Sequence, residues 1–373
     1  MSDGAKHSLL SPSSSNRWIA CPPSARLTEN YQDASSSYAA EGTQAHSVAE
    51  LKLRHKLGQA SVPPSCDNIE MAEYTDDYVA FVTEQMEGLT NPKLFVEQKV
   101  DCSRWVPECK GTCDALIVSE GVLQIIDLKT GRGVKIDAEG NGQLRIYALG
   151  ALELFGFLYP INKVRMSIFQ PRLSNCSTWE MSREDIEKWA VEALKPAAEL
   201  AWYGNGNYKA GEHCRFCRAK AKCRERAKAN MALAAYDFTD PALLENDEIA
   251  TILGKIDGLV SWASDVKDFA LLEALKGVRF AGWKLIKGRS NRKYTDETAV
   301  AEAVKCLGLD PYEHKVLGVT AMASLLGKKR FEETIGALIE KPQGKPALVP
   351  ATDKRQEIYI TTAADDFADP IEN

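Results

Sequence analysis

The sequence predicts an α/β protein in which a central mixed sheet is flanked by helices and followed by a mainly helical C-terminal extension. Three observations lead to this prediction. Residues with β-strand patterns lie in several runs between positions 93 and 172. Segments with helical spacing of apolar residues precede, interrupt and follow those runs. The composition, with 45% hydrophobic and 26% charged residues in a chain of 373, is typical of a globular protein of one large or two modest domains.

Helices are predicted on the N-terminal side of the sheet. The serines at 13–15 are suitable N-caps for a short helix over 13–28. This helix should end or bend at Cys21-Pro22-Pro23, because proline lacks an N–H and restricts the residue before it. Polar residues at 29–42 indicate a loop. Helical spacing then predicts helices over 43–57 and 70–88.

The sheet is predicted from alternation and from β-rich runs. Strands over 113–118 and 122–129 should form a hairpin, because Ser119-Glu120-Gly121 between them is a turn sequence. A helix over 183–203 should begin at the capping sequence SREDIEKW. The other predicted elements are a strand over 93–102, a helix over 140–157 and a strand over 163–172.

The chain changes character after residue 230, which we take as the end of a core domain over 1–230. A mainly helical extension is expected over 231–360, and the acidic residues of 361–373 predict a disordered tail. The elements expected in the extension are an amphipathic helix over 243–276, a basic hairpin-like segment over 280–296 and short helices over 297–340.

Bulk properties limit the class of protein. The net charge of -6 and the pI of about 5.6 argue against coating nucleic acid by bulk charge, although a local basic groove can still bind phosphates. No run of 18 apolar residues occurs, and the N-terminal sequence lacks the apolar core of a signal peptide. We therefore expect a cytoplasmic protein without membrane contact, whose ten cysteines are free thiols or metal ligands.

Two carboxylates and a lysine lie on the predicted hairpin. Asp114 opens its first strand, and Asp127 and Lys129 lie near the end of its second. Residues two apart in a strand point to the same face, so Asp127 and Lys129 should project together while Ile126 and Leu128 face the core. The hairpin should bring Asp114 beside Asp127.

This combination suits hydrolysis of a phosphodiester. Carboxylates bind Mg²⁺ or Mn²⁺, which polarise a phosphate and activate water, and a lysine can orient that water or offset charge in the transition state. The alternative is a surface hairpin with ordinary charges. Burial of the run VLQIID favours the metal site, because buried charges are costly unless they are paired or bind a metal.

Two further polar pairs have helical i, i+4 spacing. His46 and Glu50 share one face of the predicted helix over 43–57, and Gln143 and Tyr147 share a face of the helix over 140–157. Each pair alone is typical of an ordinary polar helix face.

Together these residues resemble the RecB-like branch of the PD-(D/E)XK nucleases. That branch includes nuclease domains of bacterial recombination helicase–nucleases, AddB-type domains and CRISPR-associated adaptation nucleases. Its order of motifs is a helical histidine, G-x-x-D, D-x-K-T-G and Q-x-x-x-Y. The chain has His46, GTCD ending at Asp114, DLKTG at 127–131 and QLRIY from Gln143 to Tyr147. The resemblance covers roughly residues 10–230 and implies a restriction-endonuclease-like core.

The resemblance also implies roles for individual residues. Lys129 would be catalytic, and Gln143 and Tyr147 would support the site or the DNA. The implied metal ligands are His46, Asp114, Asp127 and the carbonyl oxygen of Leu128. The chain departs from many relatives in having aspartate rather than glutamate at 127, which leaves the number of metal ions open.

Three cysteines lie close together in the sequence. Cys214, Cys217 and Cys223 form a C-x₂-C-x₅-C pattern, which needs a fourth ligand for a complete metal site. The resemblance implies that Cys21 is this ligand and that the site holds a [4Fe–4S] cluster, which would tie the two ends of the nuclease domain together. The alternatives are a structural zinc ion, with His213 as a possible substitute ligand, or no metal.

The whole chain also resembles an uncharacterised family of phage and prophage proteins. The segments that carry this resemblance are SPSSSNRWIACPPS at 11–24, GWKLIKGRSNRKYTD at 282–296 and KPALVPATDKR at 345–355. It implies an exonuclease that degrades linear duplex ends from 5′ to 3′, in recombination or repair with a single-strand annealing protein.

Two other functions stay open. One is an endonuclease specific for single strands or flaps, and the other is a catalytically idle DNA-binding or assembly module. Basic runs at 215–228 and 283–294 have the chemistry to contact DNA, although each is equally typical of a solvated charged face.

Overall fold

The computed structural model describes most of the chain. The described residues are 8–31, 37–61, 66, 68–233, 244–287, 293–313, 315–340, 348, 349, 351, 353 and 356. The chain divides into two compact units, Met1–Val278 and Arg279–Asn373. The first unit thus extends past residue 230, where the sequence changes character, and includes the long helix that follows.

A five-stranded mixed sheet is the centre of the first unit. Its strands are adjacent in chain order, and every neighbouring pair is antiparallel except β3 and β4, which are parallel. The strands are β1 Lys93–Asp101, β2 Lys110–Val118, β3 Val122–Leu128, β4 Lys163–Gln170 and β5 Asn175–Ser182. The predicted mixed sheet and the β2–β3 hairpin are confirmed.

Strand β5 was not predicted. It follows β4 through a 3-10 turn at Pro171–Leu173 and Ser174, whose φ of 46° lies in the left-handed region. Its sequence, NCSTWEMS, alternates partly buried and exposed residues at the edge of the sheet. An edge strand of this kind buries too few apolar side chains to be recognised from hydrophobicity.

Helices cover one face of the sheet around α5, Gly142–Phe155. This helix connects β3 to β4, and ten of its residues are buried. The segment after β5 packs on the same face as one continuous helical stretch: α6 Arg183–Trp189, a π-helical turn at Ala190–Leu194 and α7 Lys195–Tyr203. The helix predicted over 183–203 is therefore confirmed, and Ser182 caps it by accepting a hydrogen bond from the Asp185 N–H at 3.0 Å.

The N-terminal segment packs against this layer as a broken helix. A 3-10 turn at Pro12–Ser14 leads into α1, Ser15–Ala20, and α2 follows at Ser24–Leu27. The predicted break at Cys21-Pro22-Pro23 is confirmed. Trp18 is fully buried and donates through its indole N–H to the Ser11 carbonyl at 3.1 Å.

Two helices cover the opposite face of the sheet. They are α3, Ser37–Lys56, and α4, Ile69–Glu84, and their buried side chains pack on those of β1, β2 and β3. The loop predicted over 29–42 is wrong from residue 37 onward, where α3 begins. The segment 37–42 contains Ala39, Ala40 and Glu41, which favour a helix, so propensity supports the longer α3 and the polar residues before it misled the prediction.

The remaining helices of the first unit follow the cysteine-rich segment. They are α8, Arg224–Met231, and α9, Asn246–Leu275. Arg226 of α8 is buried and lies 2.5 Å from Asp265 of α9, and Lys220 lies 2.7 Å from the same carboxylate. Both basic residues therefore pair with α9, and Arg226 is buried rather than exposed for contact with DNA.

The second unit is helical where the structure describes it. Its helices are α10 Glu297–Lys305, α11 Val319–Leu326 and α12 Lys328–Ile335. The described positions of 280–296 contain no strand, so the hairpin predicted there is wrong at those positions. The predicted acidic tail, 361–373, lies outside the described residues. Among the helices of the described parts, none combines the length and apolarity needed to cross a membrane.

The N-cap residue of α5, Asn141, is expected to contribute to the stability of the protein. Asn141 is buried, and its side-chain oxygen accepts a hydrogen bond from the Leu144 N–H at 3.2 Å. Replacing Asn141 with alanine is expected to lower the free energy of unfolding by about 1 kcal/mol, because an N-terminal amide of the helix loses its acceptor. Urea denaturation measures this change. An unchanged midpoint and slope would contradict the role of the cap.

Candidate functional site

An interruption between β1 and β2 lies at the centre of the site. Val96 pairs with Ala115 and Gln98 with Cys113, but Glu97 and Asp114 between them do not pair. Glu97 has a φ of 51°, a left-handed conformation that is uncommon for residues other than glycine. Val96 packs on the α3–α4 side of the sheet and Val100 on the α5 side, although residues four apart in a regular strand share a face.

His46, Glu97 and Asp114 form a compact set of possible metal ligands. One ligand atom from each lies within 4.8 Å of the other two, and in the described part of the chain this is the only such trio of histidine, cysteine or acidic groups. The His46 Nδ1 lies 3.2 Å from the Asp114 Oδ1. The other oxygen of Asp114 accepts a hydrogen bond from the Leu128 N–H at 2.8 Å, which holds the carboxylate in place.

A second group is built on Asp127, which is 4% exposed. The Lys129 ammonium lies 2.8 Å from the Asp127 Oδ2. The Gln143 amide donates to the Asp127 Oδ1 at 2.9 Å, and its oxygen accepts from Lys129 at 3.2 Å. The same amide lies 3.4 Å from the Tyr147 hydroxyl. Helix α5 therefore positions the end of β3 through side chains one turn apart.

The predicted residues are thus brought together in two adjoining groups. His46 meets Asp114, as predicted, whereas Asp127 lies with Lys129 outside the three-ligand trio. Leu128 contacts the site through its amide, which bonds to Asp114. Glu97 was missed by sequence analysis, because nothing distinguishes its position in KLFVEQKVD from that of an ordinary charged strand residue.

Charges in the two groups shift several pKa values. Burial depresses the pKa of Lys129, but the Asp127 carboxylate outweighs it and raises the net pKa, so the ammonium is retained at neutral pH. Burial raises the pKa of Asp127 against the opposing effect of Lys129. Burial, followed by the nearby charges of Asp114 and Glu50, raises the pKa of Glu97 to about 7.

The pKa of His46 is raised as well. Burial opposes the charged imidazole, but the hydrogen bond to Asp114 and the charge of that carboxylate outweigh burial. The site as a whole is therefore an acidic cluster that favours positive charge, which is the requirement for binding a divalent cation.

A glycine lets α5 approach the sheet at the site. A side chain at Gly111 would place its Cβ 2.4 Å from the Tyr147 ring, which no real contact permits. The glycine of GTCD thus leaves room for the tyrosine of QLRIY. The two motifs are coupled by packing.

The loop after Lys129 is held by residues that sequence analysis missed. The Gln170 side chain donates to the carbonyls of Gly131 and Val134 and accepts from the Ile136 N–H at 3.1 Å. The Lys129 N–H itself donates to the Phe169 carbonyl at 2.9 Å. Strand β4 therefore fixes both the lysine and the loop, a role that depends on parallel pairing between distant segments.

The four predicted cysteines line one small pocket. Cys21 reaches it from the break between α1 and α2, and Cys214, Cys217 and Cys223 reach it from the segment before α8. Cys21, Cys214 and Cys217 are buried. No three of the four sulfur atoms lie within 4.8 Å of one another, so the thiols face a common space without touching as a tight group.

Polar groups at the pocket act on the thiols. His213 lies beside Cys214, with its Nε2 at 3.8 Å from the sulfur, and this nitrogen donates to the Lys209 carbonyl at 2.9 Å. Burial raises the pKa of Cys217. Burial also opposes ionisation of Cys21, but hydrogen bonds from His213 and the Lys209 N–H lower its net pKa.

The chain belongs to the family described as "Protein of unknown function (DUF2800)", whose model matches residues 7–356. That region contains both the acidic cluster and the cysteine pocket. A solved structure described as "Crystal structure of SSO0001" is 13% identical over a region that covers 56% of this chain and 96% of that chain, with a TM-score of 0.23. This likeness is too weak to define the fold.

Proposed function

We propose that this protein is a metal-dependent DNA nuclease with a RecB-like PD-(D/E)XK core. The observation that carries the proposal is the meeting of Asp114 on β2 with the end of β3, where Asp127 and Lys129 form a buried pair at 2.8 Å. Gln143 and His46 complete the set from helices on opposite faces of the sheet. This arrangement favours the nuclease over a charged surface hairpin, because Asp127 is buried, the other charges are partly buried, and all are directed at one another.

The donor set fits a divalent cation of the Mg²⁺ or Mn²⁺ class. Carboxylate oxygens suit both ions, and the imidazole of His46 is compatible with Mn²⁺. The chemistry that such an ion supplies when bound is polarisation of a phosphate and activation of a water molecule. His46, Asp114, Asp127 and the Leu128 carbonyl are the ligands that we propose.

The remaining residues would position groups and balance charge. Lys129 is held at 3.2 Å from the Gln143 oxygen, so its ammonium is directed by two partners rather than left free. In this place it can orient an attacking water and stabilise the charge that builds on the phosphate in the transition state. Tyr147 supports Gln143 from one helical turn away.

The DNA substrate that we propose is a linear duplex end, degraded from 5′ to 3′. The single-stranded 3′ tail left by this polarity is the substrate of a single-strand annealing protein, which is the partner that we propose. Both statements rest on the family resemblance, and the exposed basic residues Arg215, Arg224 and Lys228 are the candidate phosphate contacts near the cysteine pocket.

We also propose a [4Fe–4S] cluster in the cysteine pocket. Four thiols line it, and all-cysteine ligation is typical of such clusters. A tetrahedral zinc ion with Zn–S bonds of about 2.3 Å requires sulfur atoms about 3.8 Å apart. No three of these sulfur atoms lie within 4.8 Å of one another, so they are not arranged as a closed zinc site, and the ligand set is what supports the cluster. Its contribution would be a cross-link between Cys21 and the segment before α8.

A comparison of linear and closed circular duplex DNA tests the mode of cleavage. We expect the protein with Mg²⁺ or Mn²⁺ to degrade a linear duplex and release a 5′-terminal label before a 3′-terminal label, while a covalently closed circle stays intact. Cleavage of the circle, or of single-stranded and flapped DNA alone, would show that the protein is an endonuclease and not an exonuclease. Binding of DNA without cleavage of any substrate would favour the idle module.

A further inference from the structure

Glu97 lies where a metal ligand would be expected, although the family motifs assign no role to its position. Its carboxylate shares the 4.8 Å trio with His46 and Asp114. We infer that Glu97 is a direct ligand of the divalent cation, which binds between His46, Glu97 and Asp114. The inference rests on the proposed function for its place in catalysis, but metal binding can be measured without DNA.

The surroundings of Glu97 supply negative charge and no paired cation. Its side chain is half-buried and faces Asp114 and Glu50. In the described chain, no ion pair joins the Glu97 carboxylate to a lysine or arginine within 4.0 Å. The nearby Arg54 bonds instead to Glu50 at 2.8 Å and to the Val96 carbonyl at 3.3 Å. A bound divalent cation would balance the charges of Glu97 and Asp114 and use the His46 imidazole as its nitrogen ligand.

The trio is separate from the neighbouring lysine. Lys129 is engaged with Asp127 and Gln143, so its ammonium does not occupy the space between His46, Glu97 and Asp114. The Leu128 N–H holds one oxygen of Asp114 and leaves the other directed at His46. A cation in the trio would therefore not compete with the Lys129 ammonium for its place, and Asp127 stays a proposed ligand from the neighbouring group.

The backbone at Glu97 has an unusual conformation. A glycine would adopt the φ of 51° without steric cost, yet the position carries a glutamate. The left-handed residue interrupts the pairing opposite Asp114, at the position where the two carboxylates lie close together. Strain at such a position is consistent with a functional side chain, and the ligand geometry is what identifies it.

Titration of the purified protein with MnCl₂ alone, followed by calorimetry and by the Mn²⁺ electron paramagnetic resonance signal, tests the inference. We expect Glu97→Gln to weaken Mn²⁺ binding by at least about 10-fold, because outer-shell changes already cost this much and a lost ligand costs more. Glu50→Gln is the matched control. It removes a neighbouring carboxylate that is already bonded to Arg54, and it should bind Mn²⁺ as the wild type does.

A second pair of variants separates folding from binding. Glu97→Gly and Glu108→Gly each place glycine at a left-handed position, with φ values of 51° and 53°, but only the first removes the proposed ligand. Both should melt in EDTA at or above the wild-type temperature. At one fixed Mn²⁺ concentration, the melting temperature of the wild type and of Glu108→Gly should then rise more than that of Glu97→Gly and Glu97→Gln.

The outcomes are distinct from those of the nuclease assay. Wild-type Mn²⁺ affinity in Glu97→Gln and Glu97→Gly, or a wild type that does not bind Mn²⁺, would overturn the inference even if DNA is cut. Mn²⁺ binding that requires Glu97, in a protein that cuts no DNA, would support the inference and overturn the proposed nuclease.

Discussion

Replacement of Lys129 by methionine is expected to lower the rate of DNA cleavage by about 10²- to 10³-fold, the loss typical of removing one group that stabilises transition-state charge. The ammonium is buried and lies 2.8 Å from the Asp127 Oδ2 and 3.2 Å from the Gln143 Oε1. Asp127 holds the pKa of Lys129 above its usual value against burial. The charge is therefore present throughout the neutral pH range.

The raised pKa of Lys129 also predicts how its contribution to stability depends on pH. A lysine with a raised pKa contributes stability that is fully present below its unfolded pKa and is lost as pH rises through the higher folded value. The pair with Asp127 should therefore hold at neutral pH, weaken in strong alkali as Lys129 loses its proton, and weaken in acid as Asp127 gains one. Methionine keeps most of the side-chain volume, so the variant should fold and its defect should lie in the rate of cleavage.

Lys93→Met is the matched control for this prediction. Lys93 begins β1 and pairs with Val118, at the end of the sheet opposite the site, and it is exposed. Single-turnover cleavage of a linear duplex, with bound DNA measured separately, compares the two variants. Equal rates for Lys129→Met and Lys93→Met would remove the lysine from the mechanism.

Replacement of Cys21 by serine is expected to remove bound iron and to destabilise the first unit by an amount on the order of 4 kcal/mol. The estimate treats the cluster as a cross-link, because Cys21 and Cys223 close a loop that contains the whole sheet, and long loops gain the most from closure. Anaerobic iron analysis, the visible sulfur-to-iron absorbance and urea denaturation measure the effect.

Cys109→Ala is the control for loss of a buried thiol. Cys109 is fully buried but lies in the core between β1 and β2, away from the pocket. It should lose some stability through packing and keep the wild-type iron content. If the wild-type protein contains zinc, the pocket is a zinc site and the iron–sulfur proposal is wrong. If it contains no metal, the four cysteines contribute only packing.

The periodicity of the strands was enough to predict much of the candidate site. Asp127 and Lys129 lie two residues apart on β3 and do project together, while Ile126 and Leu128 pack on the α3–α4 side. The spacing of Gln143 and Tyr147 likewise predicted that they share one helix face. Gln143 bonds to Asp127, and Tyr147 lies beside Gln143. Local periodicity fixes such directions because each depends on one strand or one helix.

The parts that could not be predicted depend on contacts between distant segments. Glu97 acquires its position from an interruption of pairing with β2, which no pattern in β1 reveals. Gln170 holds the loop after Lys129 only because β4 lies parallel to β3. Arg226 belongs to a basic run that was a candidate for DNA contact, but in the structure it pairs with Asp265, 39 residues later.

Digestion of an end-labelled linear duplex by anaerobically purified protein tests the central claim most directly. The reactions contain Mg²⁺, Mn²⁺ or EDTA, and Asp114→Asn runs beside the wild type. We expect cleavage by the wild type with either ion, none in EDTA, and none by the variant, whose amide replaces the carboxylate that faces His46. Cleavage that persists in EDTA or in Asp114→Asn would contradict the account, as would intact DNA in every wild-type reaction.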